Sequence, residues 1–218
     1  ALDFDVGQYK ELDHAVECIL GKRQVMSVES GYFSEEDLAR EREHIFGGDL
    51  SDEEVHVSVV ITNYNYATFL RSCVESVVAQ KCDSIEIIIV DDGSSDNSRE
   101  VIEDLLREYS DKNIRALYQE NSGQPAIARN SGIETAQGKF ILPLDADDMI
   151  APGYLLSCID IIERRPEVNL IYADAIFVYP NRDKHSHAGI FSPGRISKQN
   201  QIVVASLYSR ALWEAVGG

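Results

Sequence analysis

From Val55 onward, β-branched apolar runs alternate with stretches whose apolar residues recur at helical spacing, and this alternation limits the fold more than any other feature. VHVSVVIT is nearly continuous in apolar and β-branched residues, which marks a strand of the buried, parallel type. A helix is predicted over 67–80, with Phe69, Leu70, Cys73, Val74, Val77 and Val78 at helical spacing. IEIIIV predicts a second strand, 96–109 a second helix, NIRALYQ a third strand, 125–136 a third helix and KFILPL a fourth strand. Pro152 is expected to open a fourth helix at its first turn, running to about Arg164, and VNLIYADAIFVY to form a fifth strand. The order βαβαβαβ implies an α/β fold: a doubly wound, mainly parallel sheet with helices on both faces and right-handed crossovers.

Residues 1–54 read differently. One helix is predicted over 8–20, with Leu12, Val16, Ile19 and Leu20 on one face. A second begins at Ser34, a good N-cap, followed by Glu35, Glu36 and Asp37 at the positive end of the helix and an apolar stripe of Leu38, Ile45 and Phe46. Gly47-Gly48 stops it, and GGDLSDEEVH reads as an acidic linker. The expected organisation is a helical N-terminal extension with its linker over 1–54, then the main domain over 55–218. Because the first residue is Ala1, the chain is expected to be processed or cut from something longer.

Net charge is -17, which argues against a nucleic-acid backbone as partner. A protein this acidic that binds a phosphorylated ligand meets a local repulsion, and a divalent cation is the usual solution. The four cysteines, Cys18, Cys73, Cys82 and Cys158, contain no C-x-x-C pair, so neither a zinc site nor a disulfide framework is expected. Reduced, mostly buried thiols suit a cytoplasmic protein. No apolar run approaches the roughly 18 residues that span a bilayer. The polar stretch over 180–199 is read as a long loop, and its His185 and His187 as solvent-exposed side chains rather than metal ligands.

Ligands of open α/β sheets bind beyond the carboxyl ends of the strands. Four segments follow the first four strands: TNYNY, DDGSSDNS, QENSGQPAIARN and DADD. Each of the first three has a plain structural reading. In DDGSSDNS, Gly93 allows positive φ and Ser95 or Asp96 can cap the next helix, which leaves Asp91 and Asp92 without a role. Tyr64 is either a core aromatic or, in so polar a loop, a flat face for stacking. Gln124-Pro125 is a possible plain helix start, and Arg129 a possible surface charge.

DADD is harder to explain structurally. Asp145, Asp147 and Asp148 close a buried apolar strand, and three carboxylates there are costly without a cation. A hard divalent ion with oxygen ligands removes the repulsion. Two carboxylates leave most of its coordination sphere open, which is how a metal holds a diphosphate.

Together, VSVVITNYNYATFLRSCVESVVAQ, IEIIIVDDGSSDNS and NSGQPAIARNSGIETAQGKFILPLDADDMIAPGYL, with the tail NQIVVASLYSRALWEAVGG, resemble the inverting family-2 glycosyltransferases of the GT-A fold. The resemblance covers about 55–218. It implies that Thr62 and Tyr64 hold and stack on the nucleotide base, most often uracil, and that Asp92 accepts a hydrogen bond from it. It places Gly123 and Arg129 at the border of the nucleotide. It has Asp145 and Asp147 contact the ribose and the metal between them, with Asp148 a neighbouring carboxylate. The implied cofactor is Mn²⁺ or Mg²⁺, and the implied reaction is a direct displacement at the anomeric carbon of a nucleotide-sugar, first of all a UDP-sugar. The acceptor would be a glycan, a lipid-linked glycan or a protein.

The chain departs from that family at one place. In relatives, an acidic pair that supplies the base follows the Val-Gly-Gly stretch, whereas this sequence stops at Gly218. The expectation is a truncated domain that binds donor nucleotide but lacks the catalytic base. A nucleotide-binding module without transfer activity is the first alternative. A nucleotidyltransferase would want a glycine-rich basic loop after the first strand, and TNYNYATFLR has none. A phosphoacceptor signalling domain would not need the second acidic cluster. A peripheral contact at the inner membrane face is expected only for a lipid-linked acceptor.

Overall fold

The computed structural model describes residues 56–80, 82–179, 182–186 (backbone only) and 202–217. The helices expected over 8–20 and 34–46, the acidic linker and His187 lie outside the described residues. In chain order the elements are β1 (Val57–Asn63), α1 (Ala67–Val78), β2 (Ile85–Asp91), α2 (Ser98–Glu108), β3 (Ile114–Tyr118), α3 (Pro125–Thr135), β4 (Phe140–Asp145), α4 (Tyr154–Arg164), β5 (Leu170–Ile171), β6 (Ala175–Tyr179), β7 (Arg182–Ser186), β8 (Leu207–Ser209) and α5 (Arg210–Val216). The chain forms two compact units, Ser51–Tyr172 with Val204–Gly218, and Ala1–Leu50 with Ala173–Val203.

The larger unit carries a six-stranded sheet of order β3-β2-β1-β4-β8-β5. The four predicted strands are parallel, and β8 runs antiparallel to both β4 and β5. The chain first adds β2 and β3 on one side of β1, then crosses back to place β4 on the other. The topological switch point therefore lies between β1 and β4, and open α/β sheets bind ligands at the carboxyl ends of the strands at such a point.

Strand alternation decides which side chains share a face. Ser58, Val60 and Thr62 of β1 stand beside Glu86, Ile88 and Val90 of β2. On this face Val60, Ile88, Val90 and Ile141 pack with Ala128, Ile133 and Ala136 of α3 and its end. Helix α3 lies unusually close to the sheet because Gly132 faces it: a Cβ there would meet the Val60 and Val90 side chains, the latter at 2.8 Å. Val57, Val59 and Ile61 point to the opposite face, which α1 and α2 cover with Leu70, Val74, Val77, Ile102 and Leu105, all fully buried.

Three expectations need correction. Pro152 does not open a helix: α4 begins at Tyr154, after Gly153 at φ 77°, so Pro152 belongs to the turn before it. VNLIYADAIFVY is not one strand. Leu170–Ile171 joins the large sheet through β8, whereas Ala175–Tyr179 pairs with Arg182–Ser186 in the smaller unit. That hairpin also takes up part of the stretch read as a long loop, including the backbone of His185. Cys73 and Cys158 are buried, Cys82 is partly so, and none of the three is in a disulfide. Among the described residues, no helix is long and apolar enough to cross a membrane.

Candidate functional site

The register brings Thr62 beside Asp145 at the switch point. Thr62 Oγ1 donates to Asp145 Oδ1 at 3.1 Å, and Arg129 Nη2 of α3 donates to the same oxygen at 3.0 Å. Arg129 is thus no plain surface charge: it reaches the carboxylate from one turn after the start of α3, and its Nε is buried without a partner among the described residues. Both bonds fall on Oδ1, and neither uses Asp145 Oδ2.

Beyond Asp145 the chain turns through Ala146, with Ala146 N–H donating to Thr62 O at 3.1 Å and Asp148 N–H to Asp145 O at 2.9 Å. Asp147 and Asp148 are exposed on this turn. Protein atoms crowding the Asp148 carboxyl, and then the charges of Asp147 and Asp145, push it up to about 6. Behind the cluster, burial and the same three carboxylates push the Cys73 thiol well above its ordinary range, so it is an inert neighbour.

On the other side of β1, Asp91 and Asp92 have separate roles. Asp91 is a brace: its Oδ1 accepts from Asn63 Nδ2 at 2.8 Å and from Ser94 Oγ at 2.5 Å. Asp92 moors the loop after β3, accepting from Gln119 Nε2 at 2.5 Å, Ser122 N–H at 3.0 Å and Ser122 Oγ at 2.9 Å. A carboxylate offers about four acceptor positions, so Asp92 retains capacity for one more donor. Gly93, at φ 71°, makes this convergence possible, since a Cβ there would stand 2.6 Å from Asn121 N. Gly123 turns the same loop at φ 69° and donates its N–H to Asn121 Oδ1 at 2.7 Å.

Tyr64 lies in the TNYNY loop with 47% of its surface exposed, which rules out the core reading. It is flanked by two tied asparagines. Asn65, the one non-glycine residue of positive φ among those described, accepts through Oδ1 from Ser95 N–H at 2.7 Å and Asp96 N–H at 3.2 Å. Asp96 caps more than the next helix. Its Oδ1 accepts from Ser98 N–H at 3.0 Å, and its Oδ2 accepts from Ala67 N–H at 3.1 Å at the start of α1. Beside this edge, Arg99 stacks over Tyr118 with 4.3 Å between guanidinium carbon and ring centre.

Thr62, Arg129 and Asp145 are therefore in contact, Asp147 and Asp148 adjoin them, and Tyr64, Asp92 and Gly123 line the neighbouring strand ends. Sequence reasoning missed Asn63, Asn65, Ser94, Gln119 and Ser122. The paired asparagines around Tyr64 were the available signal, since asparagine tolerates positive φ and bonds its own loop.

The donor set of the acidic turn is oxygen only, which suits a hard divalent ion. Burial first, and then the charges of Asp147 and Asp145, raise the Asp148 carboxyl, a strain that added positive charge would ease. Among the described residues no group of three or more His, Cys, Asp or Glu side chains is placed to hold a metal ion, so Asp145, Asp147 and Asp148 do not together form a ready-made site. An ion seated here would take its remaining ligands from a bound molecule and water.

Comparisons with known proteins agree with this geometry. The family described as Glycosyl transferase family 2 matches residues 58–212. An uncharacterized glycosyltransferase of Nostoc sp. is 42% identical over 116 residues, covering 53% of this chain and 35% of that protein. The chain thus spans about a third of that relative's length. Staphylococcus aureus TarS residues 1–349 in complex with UDP superposes with a TM-score of 0.62 at 21% identity, over 74% of this chain and 48% of that one. The mannosyltransferase PcManGT of Pyrobaculum calidifontis, in complex with GDP-Man and Mn²⁺, superposes with a TM-score of 0.58 at 16% identity, over 83% of this chain and 54% of that one. At such identities the structural likeness establishes the GT-A fold, and the family match over most of the length establishes the rest: this chain belongs to glycosyl transferase family 2.

Proposed function

We propose that the larger unit binds the donor in an inverting, metal-assisted transfer of a sugar from a nucleoside diphosphate to an acceptor hydroxyl, with a UDP-sugar as the first choice of donor. The observation that carries this reading is the convergence of Thr62, Arg129 and Asp145 at the switch point, beside two further carboxylates for which no hydrogen bond or ion pair is seen among the described residues. The ligands of the structural neighbours, UDP for TarS and GDP-Man with Mn²⁺ for PcManGT, support a nucleotide-sugar and a divalent ion.

Each residue then has a task. Tyr64 offers its exposed face to the base, and Thr62 and Asp92 supply polar contacts at the adjoining strand ends. Gly123 and Arg129 border the nucleotide, and Arg129 also holds Asp145 in place. Asp145 and Asp147 share the ribose and metal contacts, with Asp148 beside them. Mn²⁺ or Mg²⁺, when bound, supplies a Lewis acid that neutralises charge on the departing nucleoside diphosphate. In the displacement, the bond from the acceptor oxygen to the anomeric carbon forms as the bond to the diphosphate breaks, and the acceptor proton passes to a carboxylate base. No residue of this chain is assigned as that base. The acceptor is proposed to be a glycan, a lipid-linked glycan or a protein.

Calorimetric titration of UDP into the chain tests the reading, with Mn²⁺, with EDTA, and on Asp147→Ala. The expected result is Mn²⁺-dependent binding that Asp147→Ala loses. Equal binding in EDTA and in the variant would overturn the metal assignment. Absence of binding by UDP, with GDP and dTDP also silent, would overturn the nucleotide reading.

A further inference from the structure

One stripe of α1 is polar where a helix facing protein would ordinarily be apolar. Cys73 and Ser76, with Gln80 two residues past the end of α1, succeed one another at helical spacing: Cys73 Sγ meets Asp145 O at the end of β4, and Ser76 and Gln80 meet the segment that follows it. Gln80 is only 2% exposed. Its Nε2 donates to Ser76 O and to Ala151 O, each at 3.0 Å, and its Oε1 accepts from Leu155 N–H at 3.1 Å in the first turn of α4. Ser76 Oγ donates to Cys73 O at 2.7 Å and accepts from Ile150 N–H at 3.2 Å.

These bonds hold the far end of the acidic turn. Its near end is held by the sheet, through Ala146 N–H to Thr62 O and the two bonds to Asp145 Oδ1. Between the two anchors lie Asp147, Asp148 and Met149, all exposed. The backbone position of Asp147 and Asp148 is thus fixed from both sides, once by β1 and once by the polar stripe of α1. Had the stripe been apolar, Ile150 N–H, Ala151 O and Leu155 N–H would lack these partners, and a turn carrying adjacent like charges would relax away from the crevice.

We infer that Ser76 and Gln80 are positioning residues: they set the height of the acidic turn above the switch point, and so its competence to seat a divalent ion with a nucleoside diphosphate. This rests on the donor-binding reading above. Groups that orient metal-ligating side chains typically account for about 10- to 100-fold in metal affinity.

The test uses the chain with Ser76→Ala and Gln80→Met, Gln80→Met keeping similar volume without the hydrogen bonds. Ser58→Ala serves as control, because Ser58 is buried at the opposite end of the sheet. Two readouts are taken: UDP affinity with Mn²⁺ and with EDTA, and backbone hydrogen exchange. The expected result is at least about a ten-fold loss of Mn²⁺-dependent UDP affinity, unchanged affinity in EDTA, and faster exchange at 147–151 with 57–63 unaffected. Ser58→Ala should lower the melting temperature without this selective loss. A merely structural role would lower binding with and without Mn²⁺ together, in step with melting temperature, and would overturn the inference. So would exchange at 147–151 that stays as slow as in the parent. Should the parent itself bind no UDP, the donor reading fails, whereas the exchange readout still decides whether the stripe holds the turn.

Discussion

Glu86 and Asp145 stand on the same face of one sheet, under one helix, at opposite ends of the strands. At the amino end, Glu86 is fully buried. Its Oε1 accepts from Ser58 Oγ and Gln137 N–H, each at 2.5 Å, and from Gly138 N–H at 3.2 Å, while Arg115 Nη1 pairs with Oε2. The chain itself supplies every partner, from β1, β3 and the turn before β4. At the carboxyl end, Asp145 also has one hydroxyl and one arginine, but its second oxygen takes neither, and two more carboxylates follow at once. A carboxylate satisfied by its own chain holds strands together. A cluster that its own chain leaves in excess of negative charge is a candidate ligand site.

The largest expected effect breaks the first half of the comparison. Glu86→Gln removes the charge while keeping the shape, and should cost about 2–3 kcal/mol by chemical denaturation. That is somewhat below the roughly 3–5 kcal/mol for a fully buried pair, because Arg115 is partly open to water. UDP affinity should stay within about two-fold once the protein is folded. A comparable loss of binding would show that the two ends are not independent.

Asp147→Ala tests the other half in the opposite currency. Mn²⁺-dependent UDP affinity should fall by about 100-fold, at or beyond the upper range of outer-shell losses, while stability stays unchanged or rises as repulsion is relieved. A clear fall in melting temperature would mean the acidic turn is structural after all.

Gly132→Ala probes the helix that joins the two ends. The added methyl meets Val60 and Val90 and should cost about 1–3 kcal/mol, as overpacking does. Because Arg129 lies on the same helix, UDP affinity should fall as well, unlike for Glu86→Gln. Equal affinity in the two variants would separate Arg129 from the site.

The smallest effect is in pH. Burial alone would raise the Glu86 carboxyl, but the bonds from Ser58, Gln137 and Arg115 outweigh it and hold it below the ordinary range. A depressed folded value means that the contribution is fully present above the unfolded value of about 4.3 and is lost as pH falls through the folded one. The parent should therefore lose more stability than Glu86→Gln as pH falls below about 4, measured by denaturation at matched ionic strength. Parallel curves would show that Glu86 is not the group responsible.

Much of this molecule was legible before its structure. Strand and helix existence followed from local pattern, because an apolar run of β-branched residues and a helical stripe announce themselves within a few residues. The acidic turn was legible for the same reason: Asp145, Asp147 and Asp148 are close in sequence, so their repulsion needs no fold to be noticed. The brace at Asp91, the mooring at Asp92 and the polar stripe of α1 were not. Each joins groups roughly 30 to 70 residues apart, and local pattern carries no record of which distant partner fills a hydrogen bond. Glu86 escaped notice for a related reason, standing as a lone charge inside IEIIIV.

Pattern also misread VNLIYADAIFVY as one strand, because an apolar stretch reads alike whether it joins one sheet or is divided between two. By itself, then, the sequence determined the α/β alternation, the edge at which polar loops gather and the presence of excess negative charge. Only the tertiary structure decided which carboxylates find partners within the fold and which do not, because that depends on donors delivered by register and crossover from far along the chain.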